Sequence, residues 1–273
     1  MARWDKIFSR GNVEDRRGAP QALGGLGVAG IVIYAVITLL GGGNLGDVAG
    51  GVLSQLNTVS VQTDDTRSTA EFEGADSYEI FASTVLGSAN DMWTNLFNQA
   101  NATYTPPKLV LFRAGTSSAC GGASSDVGPH YCPKDQTIYI DETFFAELTS
   151  RFGATGGDVA EAYVIAHEVG HHIQNITGIL ENETDNESSI QTELQADCFA
   201  GLWANSVQHL GVFEPGEIAE AIDAAAAVGD DRIQSKVQGR INPESWTHGS
   251  SAQRVAWFNK GYETGVVANC NTF

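Results

Sequence analysis

The sequence predicts a mostly helical α+β chain, with a small β-hairpin, carried behind one N-terminal transmembrane helix. Three observations predict it. Between Gly18 and Asp47 there is no charged residue. Beyond residue 76, apolar residues recur three and four positions apart over most of the chain, the period of amphipathic helices. Within that part, two short runs, "KLVLFR" and "TIYID", are rich in β-formers. With 42% apolar residues, the chain of 273 can build a sizeable core.

Residues 1–20 read as a basic leader, with Arg3, Lys6, Arg10, Arg16 and Arg17 against Asp5, Glu14 and Asp15. Residues 21–42 follow as the expected transmembrane helix. Its apolar heart, Ala22 to Leu40, would span roughly 28 Å as a helix, close to a bilayer's hydrocarbon thickness. The basic leader then predicts a single-pass chain, with the N-terminus in the cytoplasm and the domain outside the cell membrane. Residues 43–75 mix glycine, polar and acidic residues and read as a linker. The domain proper is expected over 76–273.

Within that domain, "DSYEIFASTVLGSANDMWTNLFNQA" reads as a helix closed off by Pro106 and Pro107. The two strand candidates come next and are expected to pair as a long-looped hairpin. From Glu142 onward almost everything reads as helix. The charge is lopsided. Beyond residue 19, ten basic groups face thirty acidic ones, so a phosphate backbone is repelled and nucleic acid is not an expected partner. Four cysteines, all in the expected exported part, suggest two disulfides among three pairings. Cys120 and Cys132 bracket the glycine-rich "GGASSDVGPHY", which favours Cys120–Cys132 and Cys198–Cys270.

The segment "GGDVAEAYVIAHEVGHHIQNITG" carries the chemistry. Asp158 as N-cap with Glu161 three residues on has capping-box spacing, and Gly178 is a natural stop, so the segment reads as one helix. On it His167 and His171 lie one turn apart on one face and can converge on one metal ion. Glu168 is turned about 100° from His167, beside the ion rather than on it, the position of a general base for a metal-activated water. The next helix, "NESSIQTELQADCFAGLWANSVQHLG", offers Glu193 as third ligand. Asp197, four residues on, is placed to accept the far N–H of a ligand histidine.

HEVGH followed by ExxxD on the next helix resembles the gluzincin arrangement. More closely, "NVEDRRG", "YCPKDQTIYID", "AHEVGHHIQ", "ELQADCFAGLWA" and "HGSSAQRVAWFNKGY" resemble the bacterial neutral zinc metallopeptidases of the YpfJ type, across nearly the whole chain. The resemblance implies a zincin-like domain binding one Zn²⁺, with peptides or proteins as substrates. Gluzincins take an oxyanion donor from a His or Tyr downstream of the third ligand. His248, just before the expected caps Ser250 and Ser251, is the candidate here, with Tyr163 and Tyr262 in reserve. His172 is expected to pack rather than bind, and Arg254 either to pair with an acidic site residue or to lie on a solvated face. Gly170 and Gly201 would let the site helices approach. The rival reading is a membrane-tethered binding or scaffold domain holding zinc only for structure.

Overall fold

A computed structural model describes residues 1–17, 76–124, 128–182, 184–238 and 241–273. Helix α1 (Ser77–Gln99) starts where the Asp76 carboxylate accepts the Glu79 amide, a helix cap written in the sequence. Five further helices follow the strands in close succession: α2 (Phe144–Ser150), α3 (Asp158–Ile176), α4 (Asn186–Gln208), α5 (Ile218–Ala227) and α6 (Asp230–Gln238). The last, α7 (Ser251–Thr264), is capped by Ser250 with Gln253 in a reciprocal box. The described residues are therefore mostly helical, as expected.

The sheet departs from expectation. Strands β1 (Val13–Asp15), β2 (Lys108–Phe112), β3 (Gly115–Ser118), β4 (Gly121–Ser124), β5 (His130–Cys132) and β6 (Thr137–Asp141) form two sheets. The larger has the order β1-β2-β6-β5, and the smaller is the β3–β4 hairpin. "KLVLF" and "TIYID" are neighbours, but parallel: Lys108 faces Thr137 and Phe112 faces Asp141. The expected hairpin between them is not formed. The connection over residues 113–136 is long enough for a parallel crossover, and it holds the β3–β4 hairpin and β5. Both strands are buried on both faces apart from Lys108, which is how parallel strands read and why neither shows clean alternation.

The N-terminal residues give the second correction. Rather than standing apart as a leader, residues 1–17 are built into the domain. Ala2, Ile7 and Val13 belong to the same buried cluster as Leu86, Ile165 and Trp203. Trp4 stacks on Trp203 at 6.4 Å between ring centroids, and β1 pairs in parallel with β2. Arg17 pairs with Asp15, Asp76 and Glu142, so residues 17 and 76 meet side chain to side chain. Among the described residues no helix is long and apolar enough to cross a membrane. The expected span, residues 21–42, and the linker after it lie outside the described residues. A single crossing would put residues 1–17 and the domain on opposite sides, whereas they share one core, so the single-pass arrangement is not retained.

Both disulfides have the favoured pairing. Cys120, in the β3–β4 turn, is bonded to Cys132 at the end of β5, and Cys198 on α4 is bonded to Cys270 near the C-terminal end. Helices α3 and α4 approach closely at Gly170, where a Cβ would sit 3.0 Å from the Ala196 Cα. Gly201 serves a different crossing: a Cβ there would fall 2.0 Å from the Phe258 carbonyl on α7. Thus α4 is clamped between α3 and α7, which carries the site from both sides.

Candidate metal centre

Helix α3 begins at Asp158, with Gly157 rather than Asp158 as its cap. The Asp158 carboxylate instead accepts from the Ala2 amide and the Trp4 indole, and Glu220 on α5 accepts the Val159 amide. The start of the helix is therefore held by tertiary partners rather than by the capping box its spacing suggested. One turn apart on this helix, His167 and His171 bring their Nε2 atoms to 3.1 Å. Glu193, from α4, reaches both: Oε2 lies 3.2 Å from His167 Nε2, and Oε1 lies 3.4 Å from His171 Nε2. One ligand atom from each of these three residues falls within a 4.8 Å sphere of mutual distances.

The far side of each ring is occupied. His167 Nδ1 lies 3.0 Å from Asp197 Oδ1, and His171 Nδ1 lies 2.8 Å from Gln174 Oε1. Both partners accept there, so each ring carries a hydrogen on Nδ1, and Nε2 is the ring atom that faces Glu193. Asp197, wholly buried, also accepts from the Tyr163 hydroxyl and takes both Nε and Nη2 of Arg254, at 2.8 and 2.9 Å. Of the two readings open for Arg254, the structure has the pairing with an acidic site residue: the side chain is 3% exposed and not on a solvated face.

Burial opposes a charge on either histidine, yet hydrogen bonds to Asp197 and Glu193 push His167 up to about 10, and the Glu193 charge pushes His171 up as well. Burial likewise opposes the Glu193 carboxylate, but the two histidines hold it well below the usual range. The point where the three side chains meet therefore favours positive charge. Glu168 projects beside it with Oε2 buried and without a hydrogen-bond partner. Two imidazole nitrogens, one carboxylate and an orphaned buried oxygen match a zinc site that keeps a coordination position open.

A cleft of about 780 Å³ opens on this cluster, lined by Glu168, His248 and Arg254 among others. His248 sits in the loop before α7, where Asp230 organises the backbone. One Asp230 oxygen accepts the amides of Thr247, His248 and Gly249 at 2.8, 2.7 and 3.1 Å. The other lies 3.2 Å from His248 Nδ1, a bond that raises the imidazole's pKa. Of the two reserve residues, Tyr163 is committed to Asp197, and Tyr262 stacks on Phe258 within α7. His172 packs as expected, with Nδ1 facing the Tyr131 hydroxyl at 3.0 Å and Nε2 facing the Thr105 carbonyl at 2.7 Å.

Sequence reasoning missed Gln174 and Asp230. Gln174 carried one signal, its position three residues beyond His171 on the ligand face. Asp230 carried none, because its partners lie 17 to 19 residues away in a loop.

Comparison with known proteins places the chain. A family described as "Putative neutral zinc metallopeptidase" matches residues 2–273. The chain belongs to this family. It is 43% identical to "Uncharacterized protein YpfJ" of Escherichia coli (strain K12), over 99% of this chain and 98% of that protein. It is 44% identical to "Uncharacterized protein Mb2605" of Mycobacterium bovis, over 73% of each. No solved structure matches. The neutral zinc metallopeptidase match spans the β1 residues of the N-terminal segment as well as both site helices, in keeping with their shared core.

Proposed function

We propose that the chain is a zinc-dependent peptidase that hydrolyses peptide bonds in the cleft above α3 and α4. His167, His171 and Glu193 would hold the ion. Zinc so held supplies Lewis-acid polarisation of the scissile carbonyl and an acidified water. Glu168 acts as general base, taking the water's proton and passing it to the departing amine. Its buried Oε2, without a protein partner, is the observation that carries this reading, because a buried acceptor calls for a partner and a water at the ion would supply it. Asp197 and Gln174 orient the ligand rings, and His248, steadied by Asp230, donates to the oxyanion.

A structural zinc site would close with four protein ligands. All four cysteines are in disulfides, and no fourth ligating side chain joins the cluster among the described residues. The two disulfides support an oxidising compartment for the domain, and residues 1–17 share that compartment because they share its core.

The deciding experiment is Glu168→Gln in the full chain, assayed on a diverse peptide library with and without chelator. Zinc stoichiometry should match the parent while most hydrolysis disappears, because the amide keeps the shape and removes the proton acceptor. Loss of zinc with the substitution would make Glu168 a ligand, and unchanged hydrolysis would end the base assignment.

A further inference from the structure

We propose that Gln174 and Gln195 are positioning residues forming a one-way hydrogen-bond chain, anchored at the disulfide-bonded C-terminal segment, that fixes the ring tautomer of His171. The proposal rests on the reading of His171 as a metal ligand.

The chain's direction follows from its far end. The backbone carbonyl of Cys270 can only accept, and Gln195 Nε2 donates to it at 3.1 Å. The Gln195 amide must therefore turn its oxygen the other way, where it accepts from Gln174 Nε2 at 3.1 Å. The same Gln174 nitrogen gives its second hydrogen to the Thr192 carbonyl at 2.7 Å, again a group that can only accept. With both donors committed, Gln174 presents Oε1 to His171 Nδ1 at 2.8 Å. That ring nitrogen must then carry the hydrogen, which leaves Nε2 as the atom that would meet the metal. Amide orientation is ordinarily an assignment made from hydrogen bonding. Two backbone carbonyls leave one solution here.

Burial makes the arrangement firm. Gln174 is wholly buried and Gln195 is 4% exposed, so water does not replace a lost partner. Reversing the Gln174 amide would set its oxygen against both the Thr192 carbonyl and the Gln195 oxygen. Cys270 itself is held by the bond to Cys198 on α4, so the carbonyl that sets the direction is tied to the helix that supplies Glu193. His167 has its tautomer fixed by Asp197. The two ligand rings are therefore set independently, one by a charged acceptor and one by a neutral chain.

The test uses the full chain labelled with ¹⁵N-histidine, together with zinc affinity measured by competition with a chromophoric chelator. The metal-free parent should show a solvent-protected proton on His171 Nδ1, which is present whether or not the ring is charged. Gln174→Leu should lose that protection and weaken zinc about 10- to 100-fold, the usual cost of losing a partner behind a metal ligand. Gln195→Leu should weaken zinc by a smaller factor, because the Thr192 carbonyl still holds one Gln174 donor. A merely structural role would lower the melting temperature and leave the Nδ1 proton in place. Finding His171 Nδ1 unprotonated in the parent overturns the proposal, as does a zinc affinity in Gln174→Leu within twofold of the parent. If Gln174→Leu does not fold, the parent spectrum decides alone. A protected Nδ1 proton in a parent that does not bind zinc would sink the peptidase reading and leave the chain standing.

Discussion

Replacing Arg254 by Met should destabilise the protein far more than an ordinary arginine substitution. Arg254 is 3% exposed and Asp197 wholly buried, and they meet through two parallel hydrogen bonds of 2.8 and 2.9 Å. Burial works against the Asp197 carboxylate, and the guanidinium holds its pKa below the usual range even so. Removing the cation leaves a buried anion that has only the His167 ring and the Tyr163 hydroxyl as partners. Breaking a buried pair in this way costs about 3–5 kcal/mol, and the two remaining partners argue for the lower end. For a domain of this size, ~3 kcal/mol corresponds to a fall of roughly 6–12 °C in melting temperature.

The assay is thermal and urea unfolding of the metal-free protein with its disulfides intact. Adding Asp197→Asn to Arg254→Met should recover a large part of the loss, because the stranded charge is gone. The cost of the double variant should then fall short of the sum of the single costs by more than about 1 kcal/mol. A group whose folded pKa is depressed contributes stability above its unfolded pKa and loses it as pH falls through the folded value. The gap between parent and Arg254→Met should accordingly be full at neutral pH and narrow in acid. A melting temperature within 2 °C of the parent at neutral pH, or additive single costs, would refute the account of Arg254 as the counter-charge of Asp197.

Three further outcomes are expected. His248→Ala should lower the maximal peptidase rate by about 10²- to 10³-fold with zinc content intact, the usual cost of one missing oxyanion donor; a tenfold or smaller effect would remove His248 from that role. Glu193→Ala should weaken zinc more severely than Asp197→Ala, for which about 10- to 100-fold is expected, and an affinity equal to the parent's in Glu193→Ala would dissolve the two-helix site. Burial, with the Asp158 and Glu142 charges adding to it, pushes Glu161 from 4.5 up to about 7, so its folded state is favoured at low pH and loses stability as pH rises through 7. Glu161→Gln should therefore gain on the order of 2–3 kcal/mol at pH 8 and almost nothing near pH 4, and equal gains at both pH values would contradict it.

The site was legible in the sequence where its geometry is local. His167 and His171, and again Glu193 and Asp197, are placed by the helical period alone, which holds whatever the helices pack against. Which partners meet where helices cross was not legible, or was legible only as one of two alternatives, as for Arg254. Arg254 reaches Asp197 across 57 positions, and Gln195 reaches Cys270 across 75. The parallel pairing of β2 with β6 was hidden for a similar reason, because strand composition is the same for either direction and only the path of the connection decides. Residues 1–17 were misread because basic groups beside a long uncharged window dominate a hydropathy reading. The residues that matter to the fold, Ala2, Trp4, Ile7 and Val13, are spaced through that segment without a period.

One turn of α4 shows why the long-range part of the site is nonetheless strict. Gln195 starts the chain to His171, Ala196 meets Gly170 at the α3 crossing, Asp197 takes His167 and Arg254, and Cys198 is bonded to Cys270. Successive helical residues point about 100° apart and rise 1.5 Å, so four neighbours can face four different partners only in one axial and rotational setting of α4. A slip of one residue would turn Glu193 away from both histidines and strand a buried carboxylate and a buried amide together. The same turn that holds the helices together therefore fixes where Glu193 meets the two histidines, and its position is set by packing and hydrogen bonding on three sides of α4.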